Sequence, residues 1–138
     1  MHIKLDHTAL MVRNGIAFMI GTLLYLVLSI AGTELMGFLV LRNIADLTDR
    51  QVLVRLTLWE TLVVGPCVAV VVGASVAALV QRRFWWLAGV AFVPVLIYGL
   101  ATNIHDIGPL EILLFTGHVM LACSAAFVTS RFKRPRAI

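Results

Sequence analysis

Charged side chains are scarce in this sequence, at 13% of 138 residues against 61% hydrophobic ones. That shortage excludes a soluble globular domain, which could not cover so large an apolar fraction with so little polar surface. Cysteine is nearly absent. Cys67 and Cys123 both fall inside apolar stretches, so a disulfide framework is excluded and the two report on packing. Aromatic residues reach only 9%, which gives little sign of a ring-lined pigment pocket. Reaction motifs are missing too: no Walker loop, nucleophile elbow, zinc-ligand spacing or dinucleotide fingerprint occurs. The sequence therefore does not point to an enzyme. No internal repeat is evident, and unequal loops argue against an inverted-repeat transporter.

What the chain has in quantity is uninterrupted apolar sequence, with a mean hydropathy of +0.99. Four stretches, about Gly15–Leu41, Leu56–Val80, Phe84–Ala101 and Leu110–Ser130, approach the length of a bilayer crossing. A hydrocarbon core of roughly 30 Å takes about 20 helical residues to span. Backbone groups inside it must bond within their own segment or in a closed barrel. These runs are too long and too uniformly apolar for barrel strands. The expected fold is an all-α, four-helix transmembrane bundle forming a single domain, with helices at about 14–43, 49–81, 84–102 and 109–131. Lys4 and Arg13 before an apolar run, with Ser29-Ile30-Ala31 beyond it, mimic a signal peptide. The run resumes past Glu34 to Leu41, so the first helix is expected to be an uncleaved anchor.

With four crossings, both termini and the loop between the second and third helices share one side. That side carries Lys4, Arg13, Arg82, Arg83, Arg131, Lys133, Arg134 and Arg136, eight of the eleven basic residues. The positive-inside rule then places both termini in the cytoplasm, most simply of a bacterial cytoplasmic membrane. Phe84-Trp85-Trp86 would form an inner aromatic belt and Trp59 part of an outer one. The net charge of +4 gathers at helix ends rather than along one stripe, so nucleic acid is not the expected partner. The tail residues Arg131, Lys133, Arg134 and Arg136 suit anionic lipid headgroups.

Thr48-Asp49-Arg50-Gln51 reads as a capping box, with Leu47 and Val52 placed for a hydrophobic staple. The second helix would then run from about Asp49 to Gln81, roughly 50 Å against roughly 30 Å of hydrocarbon. Either the first two helices tilt, or they project and expose Val52, Leu53, Val54 and Leu56 to a docking partner. Along the second helix Gly65, Ala69, Gly73 and Ala77 recur every fourth residue, a small-residue stripe suited to close helix packing. It falls roughly opposite the face with Glu60, Cys67, Ala74 and Ala78. Such a helix is either central among its own partners or has neighbours on both sides. Pro66 and Pro94 are expected to kink their helices, and Pro109 to open the fourth.

Counting residues from the cytoplasmic boundaries puts Glu34, Glu60 and Glu111 at one outer depth, with His105 and Asp106 beside them. His118 lies roughly 10 Å deeper, seven residues after Glu111, and Cys67 lies seven after Glu60. If those faces meet, Glu60, Cys67, Glu111 and His118 form a polar column able to relay protons or bind a metal ion. The plainer expectation is hydrated interfacial glutamates and a His118 that hydrogen-bonds across the bundle. His118 is the only histidine within a span, so bis-histidine haem held by this chain alone is implausible. A single axial ligand to a haem or chlorophyll beside Gly117 stays open.

Three functional readings follow. The leading one is a non-catalytic accessory or stabilising subunit of a larger membrane protein complex, with no cofactor. The second is a small transporter or sensor handling protons or a metal ion from the outer side. The third is tetrapyrrole ligation by His118. The topology is tested by substituted-cysteine accessibility in intact cells. Residues 102–109 should label from the side opposite the C-terminus, and labelling from the same side overturns the arrangement.

Overall fold

The computed structural model describes residues 2–41, 48–81, 84–103 and 108–132. Leu47 of the expected staple lies outside them, as do Arg82, Arg83, His105, Asp106, Lys133, Arg134 and Arg136. The described residues form an all-α structure.

Helix α1 spans His2–Leu41, 40 residues and roughly 60 Å at 1.5 Å per residue. It begins some twelve residues before the expected start near Asn14. The segment from His2 to Arg13 contains neither proline nor glycine, so nothing in it breaks a helix already propagating. The second apolar stretch is one helical rod with a fault in it: α2 (Asp49–Trp59), a π-helical turn (Glu60–Val64) and α3 (Gly65–Leu79). At its start Thr48 is the N-cap, and its N–H donates to Gln51 Oε1 at 3.2 Å, the reciprocal half of a capping box. It ends where Val80 turns extended.

The third stretch departs from expectation. Rather than one helix kinked at Pro94, it comprises a short α4 (Leu87–Val90), a turn at Ala91-Phe92, and α5 (Val93–Asn103). Pro94 has no N–H to return to Val90, so the chain closes one tighter bond, Phe92 N–H to Gly89 O at 3.1 Å, and restarts. Pro94 thus sits in the first turn of a new helix, where its missing donor costs nothing. Helix α6 (Pro109–Phe132) follows, again with proline at its first position. Three helical segments, His7–Leu39, Arg50–Leu79 and Pro109–Phe132, are long and apolar enough to cross a membrane; Leu87–Tyr98 is apolar but shorter.

The central rod is the most buried element and contributes two faces to the bundle. Val64, Val68, Val72, Val76 and Val80 are all buried on one. A Cβ on Gly21 of α1 would stand 2.7 Å from Val76 Cγ2 and 2.9 Å from Ala91 Cβ. On the other face, Ala69, Gly73 and Ala77 are buried toward α6, and a Cβ on Gly73 would run into the Ala122 carbonyl. The small-residue stripe therefore serves contacts within the chain, and the opposite face of α3, with Cys67 and Ala78, is exposed. The turn at Ala91-Phe92 sends Phe92, fully buried, into the middle. There it meets Tyr25 of α1 at 4.6 Å between ring centroids and Phe115 of α6 edge-on at 6.1 Å. At the far end Trp85 packs edge-on against Phe127, whose ring also lies 4.7 Å from the Arg131 guanidinium.

Four hydroxyls on the exposed faces are satisfied within their own helices. Thr57, Thr102, Thr116 and Ser124 each donate to the carbonyl four residues back. A hydroxyl so bonded can face hydrocarbon without an orphaned donor. The hydroxyl of Thr22 instead crosses between helices, donating to Ala91 O at the break at 2.9 Å.

Over-packing the α3–α6 crossing should cost more than losing that hydrogen bond. Gly73→Ala should destabilise the bundle by about 1–3 kcal/mol, and Thr22→Val by about 0.6 kcal/mol. Reversible unfolding in mixed micelles, followed by circular dichroism, checks the order.

Candidate functional site at the fault in the central rod

Gly65 and Pro66 stand side by side where the π turn becomes α3. The Gly65 N–H donates to Glu60 O, five residues back, which is the π-helical spacing. The donor that would next serve Thr61 at this spacing belongs to residue 66, and proline has none. Thr61, which an α-helix would pair with Gly65, is therefore left without a helical donor. Inside a membrane such a carbonyl has no water to turn to.

His118 of α6 meets it. Its Nε2 lies 3.2 Å from Thr61 O. A carbonyl can only accept, so Nε2 carries the proton and, in the neutral ring, Nδ1 is the acceptor. The ring reaches this position by lying against Gly65: a Cβ there would stand 2.5 Å from Nε2 and 3.0 Å from Nδ1. Glycine at 65 therefore makes room for an imidazole. The sequence carried the signal in the adjacency of Gly65 and Pro66 one helix away from His118. Thr61 itself could not be picked out, because an ordinary α-helix gives its carbonyl a partner.

The other expected site residues lie apart. Among the described residues no three His, Cys, Asp or Glu side chains gather where a metal ion could bind, so the column of Glu60, Cys67, Glu111 and His118 is not assembled. The π turn supplies one reason. It inserts the equivalent of one residue between Glu60 and Cys67, offsetting their seven-residue alignment by roughly 100°. Glu60 is exposed at the start of the turn. Cys67 is exposed, and Cys123 lies behind α4, where a Cβ on Gly89 would come within 2.7 Å of its sulfur.

Glu111 is in the first turn of α6 with its carboxylate folded back toward Gly108, Oε2 being 2.7 Å from where a Cβ would stand. It faces the positive end of its own helix, which favours a negative charge. Glu34 is exposed on α1. Gly117 has open space beside it, while the Nε2 of the neighbouring His118 is committed to Thr61. A metal or tetrapyrrole ligated through Nε2 would have to displace that hydrogen bond.

His118→Leu should keep the fold, at a cost of about 0.6 kcal/mol, the mean for one interhelical hydrogen bond in membranes. Gly65→Leu should cost more, because it evicts the imidazole as well. Unfolding in micelles of the two variants checks this ranking, and equal costs would show that the ring contact contributes nothing.

No family model, curated protein or solved structure matches this chain. Its length, composition and three long apolar helices make it a small integral membrane protein with several helical spans.

Proposed function

We propose that this chain is a non-catalytic accessory or stabilising subunit of a larger membrane protein complex. With the Leu87–Tyr98 region as a fourth crossing, both termini lie in the cytoplasm of a bacterial membrane. The observation that carries the reading is the bare apolar surface at one end of the first two long helices. Leu53, Val54 and Leu58 on α2 are 65%, 51% and 52% exposed, and Leu35 and Phe38 on α1 are 60% and 63% exposed. The rod from Asp49 to Leu79 is roughly 45 Å long, so α2 reaches past a hydrocarbon core of roughly 30 Å if Val80 marks the opposite edge. Apolar side chains carried beyond the bilayer need a protein surface to pack on. Val52 and Leu56 are half-buried beside them and complete the patch. At the other end Arg131 is exposed and, with Lys133, Arg134 and Arg136 of the tail, suits anionic lipid.

A second reading, proton or metal handling at His118, draws support from one feature. Among the described residues the second ring nitrogen of this imidazole has no hydrogen-bond partner, and it lies beside a π-helical turn, a distortion frequent at functional sites. Loss of an ion-dependent activity or of colour in His118→Leu, with the helices intact, would favour ion handling or tetrapyrrole ligation respectively.

Extraction of the full-length chain from its native membrane in a mild detergent tests the leading reading. Native mass spectrometry should find it in fixed stoichiometry with other membrane subunits. Leu53→Asn, at an exposed position, should leave the fold unchanged and reduce the assembled fraction severalfold. A pure, stable monomer from native membranes would overturn the proposal.

A further inference from the structure

The central rod has two registers open to it around Pro66. In an unbroken α-helix the Gly65 N–H would return to Thr61, and Pro66 would leave Leu62 without a donor. In the observed register that N–H goes to Glu60, and the unmet carbonyl moves back to Thr61. Thr61 is the carbonyl that His118 reaches. The imidazole bond and the π turn therefore support each other. In the α register Thr61 would already be occupied by Gly65, and the carbonyl in need would be Leu62, a further 100° or so around the helix.

Steric evidence points the same way. The imidazole lies so close to Gly65 that any side chain there would displace it. A π turn is rare and occurs mostly as a single-turn bulge within an α-helix, frequently at functional sites. On either side of it the rod is held differently. Segment α3 is locked by its buried valines and small residues, whereas α2 is mostly exposed. The outer segment is thus the part free to turn.

We infer that His118 is a latch holding the central rod in its π register, and that α2 turns against α3 when the latch is released. Release removes one residue of offset, a rotation of roughly 100° and a shift of roughly 1.5 Å along the axis. Leu53 and Thr57, now outward, would take the inward places of Val52 and Leu56, and Trp59 would turn outward, while Val54 and Leu58 would stay outward. His118 acts here through the backbone of its neighbour and is a positioning residue. The latch does not depend on the accessory-subunit reading.

A spin-label scan of residues 52–58, in the full chain with Cys67→Ser and Cys123→Ser and reconstituted in lipid nanodiscs, reads the register. Accessibility to oxygen and to a water-soluble relaxant should be high at 53, 54, 55, 57 and 58 and lowest at 52 and 56 in the otherwise unmodified chain. In His118→Leu the pattern should move by one residue. In His118→Gln it should stay, because the glutamine amide nitrogen stands as many bonds from the backbone as Nε2 and can donate in its place. An unmoved pattern in the leucine variant, or a moved one in the glutamine variant, overturns the latch. Should the leucine variant not fold, nitrogen-15 NMR of the unmodified His118 ring decides. A proton on Nε2 at mildly alkaline pH is expected, and a proton on Nδ1 overturns the proposal, since Nε2 would then have nothing to donate.

Discussion

Hydrocarbon offers a peptide group no partner, and two prolines inside apolar sequence each withdraw a donor that an adjacent carbonyl would have used. How the chain answers those two deficits shapes the rest of the structure. At Pro66 the rod slips into a π turn and a side chain from α6 completes the bonding, His118 on Thr61. At Pro94, which leaves Val90 without its helical donor, the helix stops and restarts, and Thr22 of α1 binds the neighbouring Ala91 carbonyl at the break. Each distortion in one helix is thus tied to a polar side chain on another. The distortions consequently serve as interhelical attachments.

Close backbone approach makes both attachments reachable. Thr22 follows Gly21, where α1 lies nearly in contact with Val76 and Ala91, and His118 rests on Gly65. Without a hydrophobic drive between helices in lipid, association relies on such packing and on the hydrogen bonds it permits. The break at Ala91-Phe92 has a second consequence. It directs Phe92 between Tyr25 and Phe115, so one aromatic side chain joins α1, α5 and α6 at the centre of the bundle. The valine and small-residue faces of the rod then pack on either side of that centre.

The polar groups divide by where their partners lie. The hydroxyls of Thr57, Thr116 and Ser124 on exposed faces bond back to their own helices. Glu111 turns to its own helix terminus, while Glu60 faces outward at the start of the π turn. His118 is different, since its bond joins two helices at the one place where the central rod is irregular.

Much of this architecture is written in the linear sequence. Three of the four apolar runs became membrane-length helices, because length and hydropathy alone decide whether a segment can satisfy its backbone in lipid. The start of the rod was legible in Thr48 and Gln51, since capping is a local interaction. The small-residue stripe was visible too, but not its partner: only packing against α6 assigned Gly73 to Ala122 and Gly65 to His118. Tertiary structure alone settled how each proline would be accommodated. A missing donor can be tolerated by kinking, by restarting or by changing register, and sequence near the proline does not choose among them. Beside each distortion a polar side chain arrives from elsewhere, Thr22 from 69 residues away and His118 from 57 residues beyond Thr61. Among the described residues Glu60, Cys67, Glu111 and His118 do not gather as a metal site. Seven-residue spacing aligns side chains only on an unbroken helix, and the fault that Pro66 and His118 create lies between Glu60 and Cys67.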